Sequence, residues 1–224
     1  MKNRYIKHTH ISEVKFRQLL KLFCNDLTAT QVSELIGIER KTVNRIFQLL
    51  RERILALAEK ESYSSTGEIE VDESYFGAKR VRGKRGRGAG GKMKIFGMKK
   101  RGEKIYTQIV SNCSANELVA IIKKLAPKES TIYSDEWKAY DGLVNAGYKK
   151  HYRVTHSKDI FANGRAYVNG IENFWGVAKS RMIKMRGIRR EKFNLHLKET
   201  EWRFNHRHEN IYKLLLSLLK KFPL

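Results

Sequence analysis

The chain is short of cysteine, of proline and of acid: it has two of the first, two of the second, and 23 Asp plus Glu against 46 Lys plus Arg. Cys24 and Cys113 form no CxxC pair, so they cannot build a zinc ribbon between them. Free thiols in a reducing compartment are the expectation, although one disulfide would be stereochemically open to them. Two prolines leave no proline-rich linker. No run of 18 apolar residues occurs and the N-terminus has no signal-peptide pattern, so the expectation is a cytoplasmic chain with no membrane partner. The glycine-rich run 77–92 is not followed by GKS or GKT, which excludes a P-loop.

What remains is a formal net charge of +23 on 224 residues that are 41% hydrophobic. That is enough apolar material for a core and a charge that asks for a polyanion, with double-stranded DNA the leading candidate.

Residues 28–51, TATQVSELIGIERKTVNRIFQLLR, have the pattern of a helix-turn-helix. Thr28 or Thr30 caps a first helix whose Val32, Leu35 and Ile36 point inward. Gly37 supplies the turn, and Val43, Ile46, Phe47 and Leu50 line the inner face of a second helix. Arg40, Lys41, Asn44, Arg45 and Gln48 lie on the outer face, where such side chains reach base edges and phosphates. A plain helical hairpin would share the apolar pattern but has no need of the basic outer face. A helix before this unit is expected from about Ser12 to Phe23. The polar stretch 61–67 marks a boundary, giving a helical DNA-binding domain over 1–66 and a second domain over 67–224.

The second domain opens on a strand, Glu68 to Phe76, in which Ile69 and Val71 alternate with acids. An acid in mid-strand is unfavourable without a ligand or partner, which singles out Asp72. The run 77–92 follows, with six glycines, seven Lys or Arg and no acid. It reads as a mobile loop that touches DNA phosphates through Lys79, Arg80, Arg82, Lys84, Arg85 and Arg87. Two strands joined at Lys100–Glu103 come next, then a helix over Ala115–Leu125 and a short strand ending at Tyr133, with Asp135 just past it. Acids at strand ends commonly hold ligands in α/β sheets. Trp137 and Tyr140 begin a helix to about Ala146, and a fifth strand covers Tyr148–Val154. A polar loop over 155–167 leads to NGIENFWGVAK at 169–179. There Ile171, Phe174, Trp175, Ala178 and Met182 recur at helical spacing, and Glu172 sits at the margin of the stripe, partly desolvated. Lys179 returns to nearly the same face two turns on. Trp137 and Trp175 are assigned to the core. Helices at about 190–205 and 210–221 close the chain and are expected to lie on the sheet, and Lys184, Arg186, Arg189 and Arg190 make a second basic patch.

The order β-β-β-α-β-α-β-α-α after residue 66 is that of an RNase H-like mixed sheet, an α/β fold preceded here by an all-α domain. That fold brings together one acid from the first strand, one after the fourth and one from a later helix. Asp72, Asp135 and Glu172 fill those places. The segments VDESYFG, YSDEWKAY and NGIENFWGVAKSRM resemble the three catalytic blocks of bacterial insertion-sequence transposases with a DDE domain, the ISXO-like group, over roughly residues 68–205. The resemblance implies metal-dependent movement of a DNA element, with Asp72, Asp135 and Glu172 in the acidic roles and Lys179 as the trailing base. Two features depart from many relatives: no N-terminal zinc ribbon, and Tyr167 where a His stands five residues before the glutamate.

Carboxylates and water suit Mg²⁺ or Mn²⁺, and two such ions about 4 Å apart serve in-line phosphoryl displacement. The resemblance therefore implies a transposase that binds element terminal repeats and target DNA, expected to act as a homo-oligomer on the nucleoid. A nuclease on the same fold without strand transfer, or a DNA-binding regulator with a decayed site, are the competing readings.

Overall fold

The computed structural model describes residues 3–61, 66–77, 80–81, 84–85, 91–135, 140, 143, 146–148, 150–154 and 168–224, without the side chains of 80, 81, 84, 85, 153 and 154. Two compact units result: Met1–Glu61 with Arg181–Leu224, and Ser62–Ser180.

The first unit is helical. Ser12 accepts from Lys15 N at 3.3 Å and starts α1, Glu13–Cys24. Thr28 and Gln31 form a capping box for α2, Ala29–Ile36, in which each side chain bonds the other's backbone N–H. Gly37 then takes the left-handed conformation (φ 62°) that ends α2, and α3, Arg40–Lys60, begins after Glu39. Phe16, Leu20, Phe23, Val43, Phe47 and Leu50 form the core, with Trp202, Leu215 and Leu219 from the end of the chain.

Two expectations are corrected in this unit. Leu35, placed inward by its spacing, is 64% exposed. The tail helices, α6 (Phe193–Asn205) and α7 (Ile211–Lys221), are expected on the sheet from their stripes. They share the core of α1–α3. An amphipathic stripe states that a face is buried, not what buries it.

Buried in the same unit is Glu199, 0% exposed, ringed by Arg51, Arg181 and Arg203 at 2.7, 2.6 and 2.9 Å. Burial alone would raise its pKa. The three guanidiniums, Arg181 foremost, instead hold it far below the carboxylate range.

The second unit is a five-stranded mixed sheet. Its strands are β1 (Glu68–Phe76), β4 (Met93–Lys100), β5 (Ile105–Val110), β6 (Thr131–Asp135) and β7 (Lys150–Val154), in spatial order β5-β4-β1-β6-β7. β4 runs antiparallel to both β1 and β5, whereas β6 is parallel to β1 and β7 to β6. This is the RNase H-like arrangement. One face, with Ile69, Val71, Phe96 and Met98, packs in one cluster with Leu118, Ile121 and Ile122 of α4, Ala115–Leu125. The other face receives α5, Asn169–Lys184, whose Ile171, Phe174, Trp175 and Ala178 are all buried, as their spacing predicts.

Within the basic run, Arg80–Val81 (β2) and Lys84–Arg85 (β3) pair as a short antiparallel ladder, so this stretch is not uniformly loop. Cys24 and Cys113 are both free and half-buried. Among the described residues no helix is long and apolar enough to cross a membrane.

Candidate active site

Asp72 lies at the centre of β1, the central strand, opposite Gly97 of β4. β1 and β6 are paired only from Glu68–Thr131 to Glu70–Tyr133. Beyond that register Asp72 and Asp135 continue towards the carboxyl ends of two parallel strands, the usual ligand position in an α/β sheet. Asp135 is the last residue of β6 rather than just past it.

Oxygens of Asp72, Glu73 and Asp135 approach within 4.8 Å of one another. Asp72 is half-buried, and its Oδ1 accepts from the backbone N–H of Glu73 at 2.8 Å. Burial first, then the negative charge of Asp135 and that of Glu172, raise its pKa from 3.8 to about 7. The Glu73 N–H works against this rise, as does the indole of Trp175. That indole Nε1 is buried and falls short of a full hydrogen bond to any partner among the described residues.

Glu73 is buried and takes a hydrogen bond at 2.8 Å from the hydroxyl of Tyr140, itself fully buried. Glu73 was not among the residues singled out by sequence, although the run Asp72-Glu73 was a signal that could have found it.

Glu172 enters from the first turn of α5. It is exposed rather than partly desolvated, and it stands outside the tight trio while its charge still bears on Asp72. Lys179 is exposed two turns further along the same helix. The helix can approach because β4 carries Gly97. A Cβ there would stand 2.7 Å from Trp175 Cζ2 and 3.1 Å from Ile171 Cδ1. Phe76 closes the Trp175 side with an edge-on contact, centroids 6.1 Å apart. Trp175 is thus core, while Trp137 and Tyr167 lie outside the described residues.

The donor set is oxygen only, and its carboxylates crowd together within 4.8 Å. Both features fit a hard divalent cation of the Mg²⁺ or Mn²⁺ kind.

The sequence pattern of the ISXO2-like transposase domain matches residues 65–205. The chain belongs to this transposase family. An uncharacterized transposase-like protein of Haemophilus influenzae is 39% identical over 118 residues, covering 53% of this chain and 92% of that protein. An uncharacterized protein in transposable element ISH50 of Halobacterium salinarum is 26% identical over 189 residues, covering 77% of this chain and 63% of that one. Among solved structures, a pre-cleavage Mos1 transpososome aligns over 91% of this chain and 78% of its own at 10% identity. Its TM-score of 0.33 is too low to support any statement about this transposase.

Of the residues predicted to meet DNA, Arg40, Lys41, Asn44 and Arg45 are exposed on α3. Gln48 is half-buried and donates to Glu52 Oε1 at 2.8 Å. Lys79, Arg82 and Arg87 lie outside the described residues, as do the side chains of Arg80, Lys84 and Arg85.

Proposed function

We propose that this transposase family member binds the terminal repeats of its insertion sequence through α2 and α3 and cuts and joins DNA strands at Asp72, Asp135 and Glu172. The observation that carries the reading is the crowded carboxylate cluster, with Asp72 raised to about 7 by burial and by Asp135 and Glu172. Such strain in a buried acid marks a place built for a cation.

Asp72, Asp135 and Glu172 would hold the divalent cation, Mg²⁺ or Mn²⁺, which when bound supplies an activated hydroxyl nucleophile and stabilises the leaving oxygen. The remaining parts position and exclude. The Glu73 N–H fixes the Asp72 carboxylate, and Tyr140 fixes Glu73. Trp175 and Phe76 wall the helix side of the site with apolar surface. Lys179, exposed at the surface, and the cations of 77–92 hold phosphates.

Hydrolysis of a phosphodiester at the element end frees a 3′-OH, and that hydroxyl then displaces a 3′ oxygen from a target phosphodiester. Each step makes one P–O bond and breaks one. Joining requires two ends held together, hence a homo-oligomer on DNA. The helical unit forms the DNA-binding domain and the sheet unit the catalytic one, in a cytoplasmic, nucleoid-associated protein.

The test is strand transfer with pre-cleaved DNA ends from the sequence flanking the coding region, in Mg²⁺ or Mn²⁺. Wild type is compared with Asp72→Asn, Asp135→Asn and Glu172→Gln. Joined products that vanish in all three variants, with DNA binding kept, support the reading. Cutting without joining by wild type would replace it with a nuclease, and binding alone would leave a regulator.

A further inference from the structure

Glu70 stands two residues before Asp72, on the same face of β1, and is 1% exposed. A carboxylate so thoroughly buried must be neutralised or hydrogen-bonded. Here both occur. Its Oε2 accepts from the backbone N–H of Ile171 at 2.8 Å, and its Oε1 accepts from Arg101 Nε at 3.3 Å. Lys99, also buried, is its partner in register on β4.

Ile171 belongs to the first turn of α5. The opening N–H groups of a helix have no partner inside it and form the positive end of its dipole. A carboxylate sent up from the sheet satisfies one of them and complements that charge. Gly170 makes the approach possible. A Cβ there would lie 2.8 Å from Glu70 Oε2 and 3.0 Å from Lys99 Nζ. The first turn therefore rests directly on the charged pair, and the residue after Ile171 is Glu172.

We propose that Glu70 is a positioning residue for the metal site: one strand carries Asp72 and, through Glu70, fixes the helix turn that presents Glu172 to it. The proposal rests on the reading of Asp72, Asp135 and Glu172 as metal ligands. Glu70 touches neither DNA nor cation in this scheme. It sets where the third carboxylate stands.

The experiment titrates Mn²⁺ into the full chain without DNA, following free Mn²⁺ by electron paramagnetic resonance. Amide hydrogen exchange over residues 169–175 is measured in parallel. Wild type, Glu172→Gln, Glu70→Gln and Glu70→Ala are compared, each checked for cooperative thermal melting.

Glu172→Gln is expected to weaken Mn²⁺ binding. Glu70→Ala is expected to weaken it about tenfold, the scale of outer-shell ligand changes, and to speed exchange at the first turn of α5. Glu70→Gln keeps an oxygen for the Ile171 N–H and should lie between Glu70→Ala and wild type. A purely structural Glu70 would lower the melting temperature and leave the affinity of the folded chain unchanged. Wild-type affinity in both Glu70 variants, with Glu172→Gln weakened, overturns the positioning role alone. Wild-type affinity in Glu172→Gln overturns the ligand reading and the proposal with it. Should Glu70→Ala fail to melt cooperatively, Glu70→Gln decides: a loss of about threefold or more supports the proposal, and no loss overturns it.

Discussion

Glu199 in the helical unit and Asp72 in the sheet unit are both acids removed from water, and they are treated in opposite ways. Glu199 has three guanidiniums within 2.9 Å, and its pKa is driven down. Asp72 has the carboxylates of Glu73 and Asp135 within 4.8 Å and, among the described residues, no guanidinium at ion-pair distance, and its pKa is driven up to about 7. A compensated buried charge is a structural device, one that ties α3, α5 and α6 together through Arg51, Arg181 and Arg203. An uncompensated one costs stability and is kept only where something else needs it. Net charge does not explain the contrast, because a chain at +23 has cations to spare. Among the described residues none of those cations stands at ion-pair distance from Asp72.

The largest expected effect comes from breaking the compensated side. Glu199→Ala leaves three guanidiniums facing one another in a buried space, and losing one partner of a buried charge network costs about 3–5 kcal/mol. Urea unfolding should show that loss at neutral pH. In wild type the Glu199 contribution is present above the ordinary carboxylate pKa, because the folded value is depressed. It is lost only as pH falls well below 4. A variant as stable as wild type would mean the network is ornamental and the comparison false.

The second effect has the opposite sign. Asp72 has a folded pKa raised above its unfolded one, so the native state is favoured below about pH 4 and loses that advantage as pH rises through about 7. Asp72→Asn removes the penalty. Without divalent metal it should be more stable than wild type by about 2 kcal/mol at pH 8, discounted for the partial exposure of the site, and by little at pH 4. Strand joining should vanish in the same variant. Millimolar Mg²⁺ should raise the melting temperature of wild type and leave Asp72→Asn unmoved, since only a ligand bound to the native state shifts unfolding. A variant less stable than wild type at pH 8 would place Asp72 with Glu199 among the structural acids.

A third, smaller effect tests how the site is closed. Gly97→Ala puts a methyl 2.7 Å from a ring carbon of Trp175, which is buried and wedged beside Phe76, so α5 must shift. Overpacking of this kind costs about 1–3 kcal/mol. Thermal melting reads the cost, and Mn²⁺ titration of the folded variant reads whether Glu172 moved with the helix.

Much of this was legible along the chain, and the exceptions share a cause. Alternation in Glu68–Phe76 picked out Asp72, the short strand Ser130–Tyr133 before Asp135 picked out a strand end, and the stripe from Ile171 to Ala178 picked out the helix of Glu172. Each signal is local. Glu70 and Glu68 look alike in the sequence, two acids on one alternating strand. Which of them is buried depends on a helix that begins a hundred residues later. Glu199 reads as an ordinary helix acid until Arg51 and Arg181 are brought to it. The tail helices advertised apolar stripes and gave no sign that Trp202, Leu215 and Leu219 would join the core of Phe23 and Phe47. Its place beside the stripe predicts a partly desolvated Glu172, yet the first turn of a helix is open on its outer side, and the residue is exposed.

The smallest effect concerns cations rather than acids, and it extends the same comparison. Arg51, Arg181 and Arg203 are spent on Glu199, whereas Lys41 is exposed on α3 with no carboxylate at ion-pair distance among the described residues. A surface charge without a partner contributes little to folding, so Lys41→Ala should change stability by less than about 0.5 kcal/mol. If that charge instead meets a DNA phosphate, the variant should bind all sequences somewhat more weakly. Its plot of log affinity against log salt should also flatten by about one unit of slope. Fluorescence anisotropy with a terminal-repeat duplex at several salt concentrations measures both. A flatter slope with unchanged melting sorts the cations into two kinds, those that answer a buried acid and those held out for a polyanion. Unchanged slope with lowered stability would put Lys41 in the first group, and the basic face of α3 would need a reason other than DNA.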